Sequence, residues 1–186
     1  MASRAPLDLR VNTLKAKPEK ALASLAHLGA RATPWSPLGL RIDLGADARN
    51  PGVHAEEVFI KGGVEVQDEG SQLAALLTGA KPGEQVIDMC AGAGGKTLAL
   101  AAMMQGKGRL IATDRDKRQL APIHERLSRA GVHNAEVRSP RGADDTLSDI
   151  RESADLVVID APCTGTGTWR RNPDAKWRMR PGALEI

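Results

Sequence analysis

The 186 residues contain no tyrosine, one phenylalanine and three tryptophans. A core built on aromatic clusters is therefore excluded. Packing must rest on Leu, Val, Ile, Ala and Met, and a hydrophobic content of 41% is enough for a folded chain rather than a disordered one. Cysteine is scarce as well: Cys90 and Cys163 lie far apart and lack the spacing of a zinc site, so no metal is expected. No run reaches the roughly 18–20 apolar residues that span a bilayer. The opening MASRAPLDLR lacks the apolar stretch of a signal peptide. A membrane partner is not expected. A reduced, cytoplasmic setting is, and there the cysteines serve function more than cross-linking. The net charge of +3 and a pI of about 9.1 are only mildly basic, so distribution matters more than the total.

What is present divides into two patterns. Leu9 to Leu14 reads as a strand. Pro18 opens a helix with Leu22, Leu25 and Leu28 on one face, stopped by Gly29. Trp35, Leu38, Leu40, Ile42 and Leu44 alternate as a second extended stretch, and ADARNPG is a turn. Val58 to Lys61 and Val64 to Gln67 flank Gly62-Gly63 as a hairpin. Residues 1–65 thus read as a small α+β module. From there strands and helices alternate: a helix over Asp68 to Leu77 with Leu73, Leu76 and Leu77 buried, a strand at Gln85 to Cys90 and a helix at Lys96 to Met104. A strand at Arg109 to Asp114 follows, then a helix from Asp116 to Ala130, a strand at Ala135 to Arg138 and the apolar strand DLVVID. This is the α/β alternation of a parallel sheet with right-handed crossovers, occupying residues 66–186.

DMCAGAGGKT, residues 88 to 97, leaves a buried strand and enters a helix through Gly92, Gly94 and Gly95. Such glycines let the backbone approach a ligand at a helix N-terminus. A phosphate-binding loop would need a glycine where Cys90 stands. A dinucleotide fingerprint would need its third glycine at Thr97. The nucleoside-binding turn of a Rossmann-like methyltransferase needs an acid before the glycines and another after the next strand. Asp88 and Asp114 supply both, the latter about 20 residues on, where a carboxylate meets ribose hydroxyls.

DAPCTGTG follows DLVVI at the strand end where open α/β sheets bind ligands. Pro162 stiffens the turn that carries Cys163. Carbon 5 of cytosine is a poor nucleophile, and adding a thiolate at carbon 6 makes an enamine able to attack a sulfonium methyl group. Asp160 is placed to steady the base's N3–C4 edge, and Lys96 to stabilise negative charge. Cys163 could instead be a small buried side chain. Cys90 reads as packing. Arg170, Arg171, Lys176, Arg178 and Arg180, interleaved with Trp169 and Trp177, read as RNA contacts, or else as a solvated loop over buried indoles.

LRVNTLK (Leu9 to Lys15), VQDEGSQL (Val66 to Leu73), DMCAGAGGKT, DAPCTGTGTWRRNPD (Asp160 to Asp174) and AKWR (Ala175 to Arg178) together resemble the RsmB/NOP/NSUN family of RNA 5-methylcytosine methyltransferases, bacterial rRNA members above all. The resemblance covers nearly the whole chain. It implies an incomplete Rossmann-like sheet of the first four strands, S-adenosylmethionine as cofactor and RNA, in particular rRNA, as partner. Cys90, Ala91, Gly92, Ala93, Gly94, Gly95 and Lys96 would surround the methionine part. Asp114, with Arg115 beside it, would bind the ribose, and Asp144 would lie by the adenine. Asp160 would touch both cofactor and cytosine. Two cysteines are implied: Cys163 would help release the product, while the attacking one sits in a later Thr-Cys motif that this sequence does not contain. The family continues through another helix and three strands, so an incomplete chain, inactive alone, is expected, with DLVVID at an open edge inviting self-association. The oligomeric state stays open. The Ala-Pro-Gly-Gly loop core is here Ala-Gly-Ala-Gly-Gly from Ala91. Two rival readings are a paralogue that binds RNA or cofactor without catalysis, and a DNA cytosine methyltransferase, which also uses a Pro-Cys cysteine. The front module and WRRNPD argue against the second.

Overall fold

A computed structural model describes residues 4–45, 49–139 and 147–178. In the front half the central strands are buried at consecutive positions rather than alternately. β1 (Leu7–Val11) pairs antiparallel with β3 (Gly39–Ile42) and with β4 (Val64–Val66), and β2 (Arg31–Ala32) adds to β3, giving the order β2-β3-β1-β4. Leu9, Val11, Leu40, Ile42 and Val64 bury one face against Ala21 and Leu25 of the α1 region (α1, Pro18–Ser24). Proline starts α1 because its missing N–H would lack a helical acceptor there anyway. A 3-10 turn at Ala26–Leu28 then carries the chain to left-handed Gly29.

Three sequence expectations change here. The stretch before Gly62-Gly63 is a helix, α2 (Glu57–Ile60), not a strand. Gly62 is left-handed at φ 75°, and the N–H groups of Gly62 and Gly63 donate to Phe59 and Val58 carbonyls. The glycine pair therefore closes a helix rather than turning a hairpin. The second extended stretch is shorter than its alternation suggested, with Trp35 in a bend and 75% exposed. α3 (Glu69–Leu77) buries Glu69, Gln72 and Ala75, while Leu77 is exposed. Polar groups win that face because they have partners: Glu69 accepts from the Trp35 and Ser36 N–H groups and from Arg41, and Gln72 donates to the Leu9 and Gln67 carbonyls.

The second half follows the expected alternation closely. β5 (Gln85–Asp88), β6 (Arg109–Thr113), β7 (Ala135–Arg138) and β8 (Leu156–Val158) form one parallel sheet in the order β7-β6-β5-β8. α4 (Gly95–Met103) covers it with Leu98, Leu100 and Ala101, against Val86 and Leu110. The long helix expected after β6 is two helices, α5 (Lys117–Leu120) and α6 (Ile123–Ala130), broken at Pro122, which cannot donate within a helix. The other sheet face carries the smaller cluster of Ile87, Ile111 and Ile150. β8 is an edge strand, as DLVVID suggested, and Val157 and Ile159 are exposed. No helix among the described residues is long and apolar enough to cross a membrane.

Candidate functional site

The turn after β5 is held open by backbone geometry. Gly92 and Gly94 are left-handed, at φ 50° and 84°. They serve different ends. A Cβ at Gly94 would meet Ile123 Cγ1 at 2.5 Å, so this glycine allows α6 to pack close. A Cβ at Gly92 or Gly95 would meet only Gln119 Oε1 at 3.9 Å or Gln67 Nε2 at 3.8 Å, so that side of the turn is open. Below it, Asp88 is fully buried. Its Oδ2 accepts from Thr97 Oγ1 at 2.7 Å, and Oδ1 has no hydrogen-bond partner among the described residues. Burial pushes its carboxyl above the usual range, against the pull of Thr97 and Lys96.

Asp114, just past β6, reaches back to the turn. Its Oδ2 accepts from Gly92 N at 2.9 Å and its Oδ1 from Asp116 N. Arg115 is exposed beside it. From the other side, Lys96 on the first turn of α4 donates to Asp160 Oδ2 at 2.5 Å and to Ser71 Oγ at 3.2 Å. Asp160 lies two residues beyond β8, and Met89 N bonds the Val158 carbonyl, tying the two strand ends together. The sequence-predicted Gly92, Lys96, Asp114 and Asp160 thus converge at the C-terminal ends of β5, β6 and β8. With Asp160 57% exposed, this ion pair adds at most about 1 kcal/mol of stability, so its main effect is orientation.

Cys163 is exposed three residues along the same loop. Cys90 is half-buried, and its thiol is pushed up by burial and then by Asp114, Asp88 and Asp160, which suits packing better than nucleophilic attack. The basic segment reaches the start of α3, where Ser71 accepts from Lys96 and the preceding Gln67 donates to the Gly95 carbonyl. Arg171 lies 3.5 Å from Asp68, the N-cap of α3, and Arg170 adds to the attraction with which Arg31 lowers Asp43. Trp169 is half-buried and Trp177 exposed, so the two indoles are not both buried. Lys176 and Arg178 fall in a 3-10 helix, Pro173–Arg178. Asp144 lies outside the described residues, as does Arg180.

Sequence reasoning missed the braces of the glycine turn. Arg126 Nη1 donates to the Ala93 carbonyl at 2.7 Å, and Gln67 Nε2 to the Gly95 carbonyl at 3.2 Å. Both lead to the front sheet. Arg126 pairs with Glu65 at 3.1 Å, and Arg10 Nε donates to Gln67 Oε1 at 2.6 Å. Glu65, 2% exposed, also lies 2.7 Å from Arg129 Nη2, a charge contact without a well-directed hydrogen bond. Burial lowers the Arg10 guanidinium to about 10, with Glu65 acting the other way. The signal available in sequence was Arg126 and Arg129 three apart on a helix face, and an acid between two valines in VEV.

Residues 75–185 match the family described as 16S rRNA methyltransferase RsmB/F. The chain belongs to that family. Among RsmB/F relatives, a probable ribosomal RNA small subunit methyltransferase B of Synechocystis sp. is 33% identical over 96% of this chain and 40% of its own length. The ribosomal RNA small subunit methyltransferase B of Sodalis glossinidius is 36% identical over 97% and 41%. The chain therefore spans about 40% of the curated RsmB/F relatives' length. A solved structure of a methyltransferase homologue from Pyrococcus horikoshii superposes with a TM-score of 0.72 at 31% identity, covering 92% of this chain and 55% of that one. The resemblance read from the motifs and the four-stranded parallel sheet are both borne out.

Proposed function

We propose that the chain holds S-adenosylmethionine at the glycine turn and belongs to an enzyme that methylates carbon 5 of cytosine in RNA, specifically rRNA, in the cytoplasm. The observation that carries this reading is the contact from Lys96 Nζ to Asp160 Oδ2, which joins the glycine turn to the loop bearing Cys163. Residues 66–186 are then the cofactor half, and residues 1–65 the RNA-side module. The fit rests on the open side of Gly92 and Gly95 and on the acid at the strand end. When bound, S-adenosylmethionine supplies an electrophilic methyl group on a sulfonium.

The chain's own residues do the rest. Cys90 to Lys96 hold the methionine part through backbone groups. Asp114, already oriented by Gly92 N, accepts from the ribose hydroxyls, with Arg115 at the rim. Asp160, held by Lys96, steadies the N3–C4 edge of the base. Cys163 helps release the methylated product. Arg170, Arg171, Trp169, Lys176 and Arg178 contact RNA. The attacking thiol belongs to a Thr-Cys pair that these residues do not contain, since Met89 precedes Cys90 and Pro162 precedes Cys163.

A transfer assay with labelled S-adenosylmethionine and cytosine-containing RNA tests this. The chain is assayed alone and joined to the C-terminal part of the Sodalis relative. Label on cytosine carbon 5 with the joined protein, and none with the chain alone, is expected. Equal labelling by both would move the attacking role to Cys163. No label from the joined protein would reject the proposal.

A further inference from the structure

The donor site makes no use of a groove in the front half. It lies between α1 and α2, has a volume of about 760 Å³, and is lined by exposed Lys15, Lys17, Lys20 and Lys61 over the small apolar side chains Ala21 and Val58. Two acids share it, and both are engaged. Glu57 pairs with Lys61, whose ammonium holds its carboxyl below the usual range, and Glu56 pairs with His27 at 3.1 Å. No ion pair is recorded for Lys15, Lys17 or Lys20 among the described residues, so the groove keeps an excess of positive charge.

Three features point to one kind of occupant. Lysine ammoniums are hydrated point charges on flexible stems, suited to phosphates rather than to planar recognition of bases. Among the described residues no aromatic side chain lines the groove, so they offer no platform for base stacking there. Lys15 closes the LRVNTLK motif and packs against the second half: a Cβ at Gly131, which ends α6, would meet Lys15 Cε at 2.5 Å. The groove therefore borders the junction of the two halves, at the end of α6 remote from the glycine turn.

We infer that this groove binds the phosphate backbone of a single-stranded segment of the substrate RNA, away from the target nucleotide. The inference rests on RNA being the substrate. Fluorescence anisotropy with a short single-stranded RNA, titrated with salt, tests it for the chain, a Lys15→Ala/Lys17→Ala/Lys20→Ala variant and an Arg170→Ala/Arg171→Ala variant. Each lost contact to a single strand removes about 0.7 from the slope of log affinity against log salt, so the lysine variant should lose about 2 and bind about tenfold or more weakly. Its S-adenosylmethionine affinity, read by calorimetry, should be unchanged. A lysine variant with the parent's slope and affinity overturns the inference. So does a chain that binds no RNA, or polyglutamate competing as well as RNA at equal charge. In those cases retained S-adenosylmethionine binding leaves the donor-site reading standing.

Discussion

At the scale of single residues, the two cysteines have opposite surroundings. Cys163 is exposed on its loop, whereas burial and three neighbouring carboxylates disfavour the Cys90 thiolate. Iodoacetamide at neutral pH should label Cys163 first, and Cys163→Ala should remove the fast phase. Fast labelling of Cys90 would contradict the packing role given to it. Arg126 is a second residue-scale case, because it holds both a carbonyl of the glycine turn and a buried acid. Arg126→Ala leaves Glu65 with one fewer partner and should cost about 2 kcal/mol in urea denaturation. It should also weaken S-adenosylmethionine binding by loosening the turn. The residues proposed to hold the donor were legible in sequence because glycines before a helix and acids at strand ends carry their own chemistry. The braces were not, since Arg126, Gln67 and Glu65 acquire meaning only when the two sheets meet.

At the scale of elements, the sequence resolved the parallel sheet better than the front half. Runs such as QVID and RLIAT are apolar and bounded by turns, so each reads as a strand. The α2 segment misled because Gly-Gly closes helices as readily as hairpins. The face of α3 misled because the apolar pattern said nothing of the partners awaiting Glu69 and Gln72. The junction of β5 and α4 makes a pH prediction. Burial raises the Asp88 pKa, so the folded state keeps that proton to higher pH than the unfolded chain does. The stability this contributes is complete below the ordinary carboxylate range and is lost as pH rises through the raised value. Asp88→Asn lacks the term. Its denaturation midpoint relative to the parent should therefore rise between about pH 4 and the raised pKa. A difference that shrinks over that window would contradict a buried, desolvated Asp88.

At the scale of the whole molecule, β8 is an outer strand of the parallel sheet among the described residues, and that edge presents Val157 and Ile159 to solvent. An exposed apolar edge strand is a template for pairing with another chain. Sedimentation should show association that grows with concentration, and Val157→Lys with Ile159→Lys should suppress it. A concentration-independent monomer would count against the edge as an association site. The same architecture gathers the proposed donor cradle from three strand ends, with the front sheet bracing the turn through Arg126 and Gln67. The most direct test of that arrangement is titration calorimetry of S-adenosylmethionine into the chain and into Asp114→Ala. One-to-one binding, weakened about tenfold or more by the substitution, is predicted from the loss of a charge-assisted contact to ribose. Equal heats and affinities for the two proteins would contradict the placement of the donor at the glycine turn.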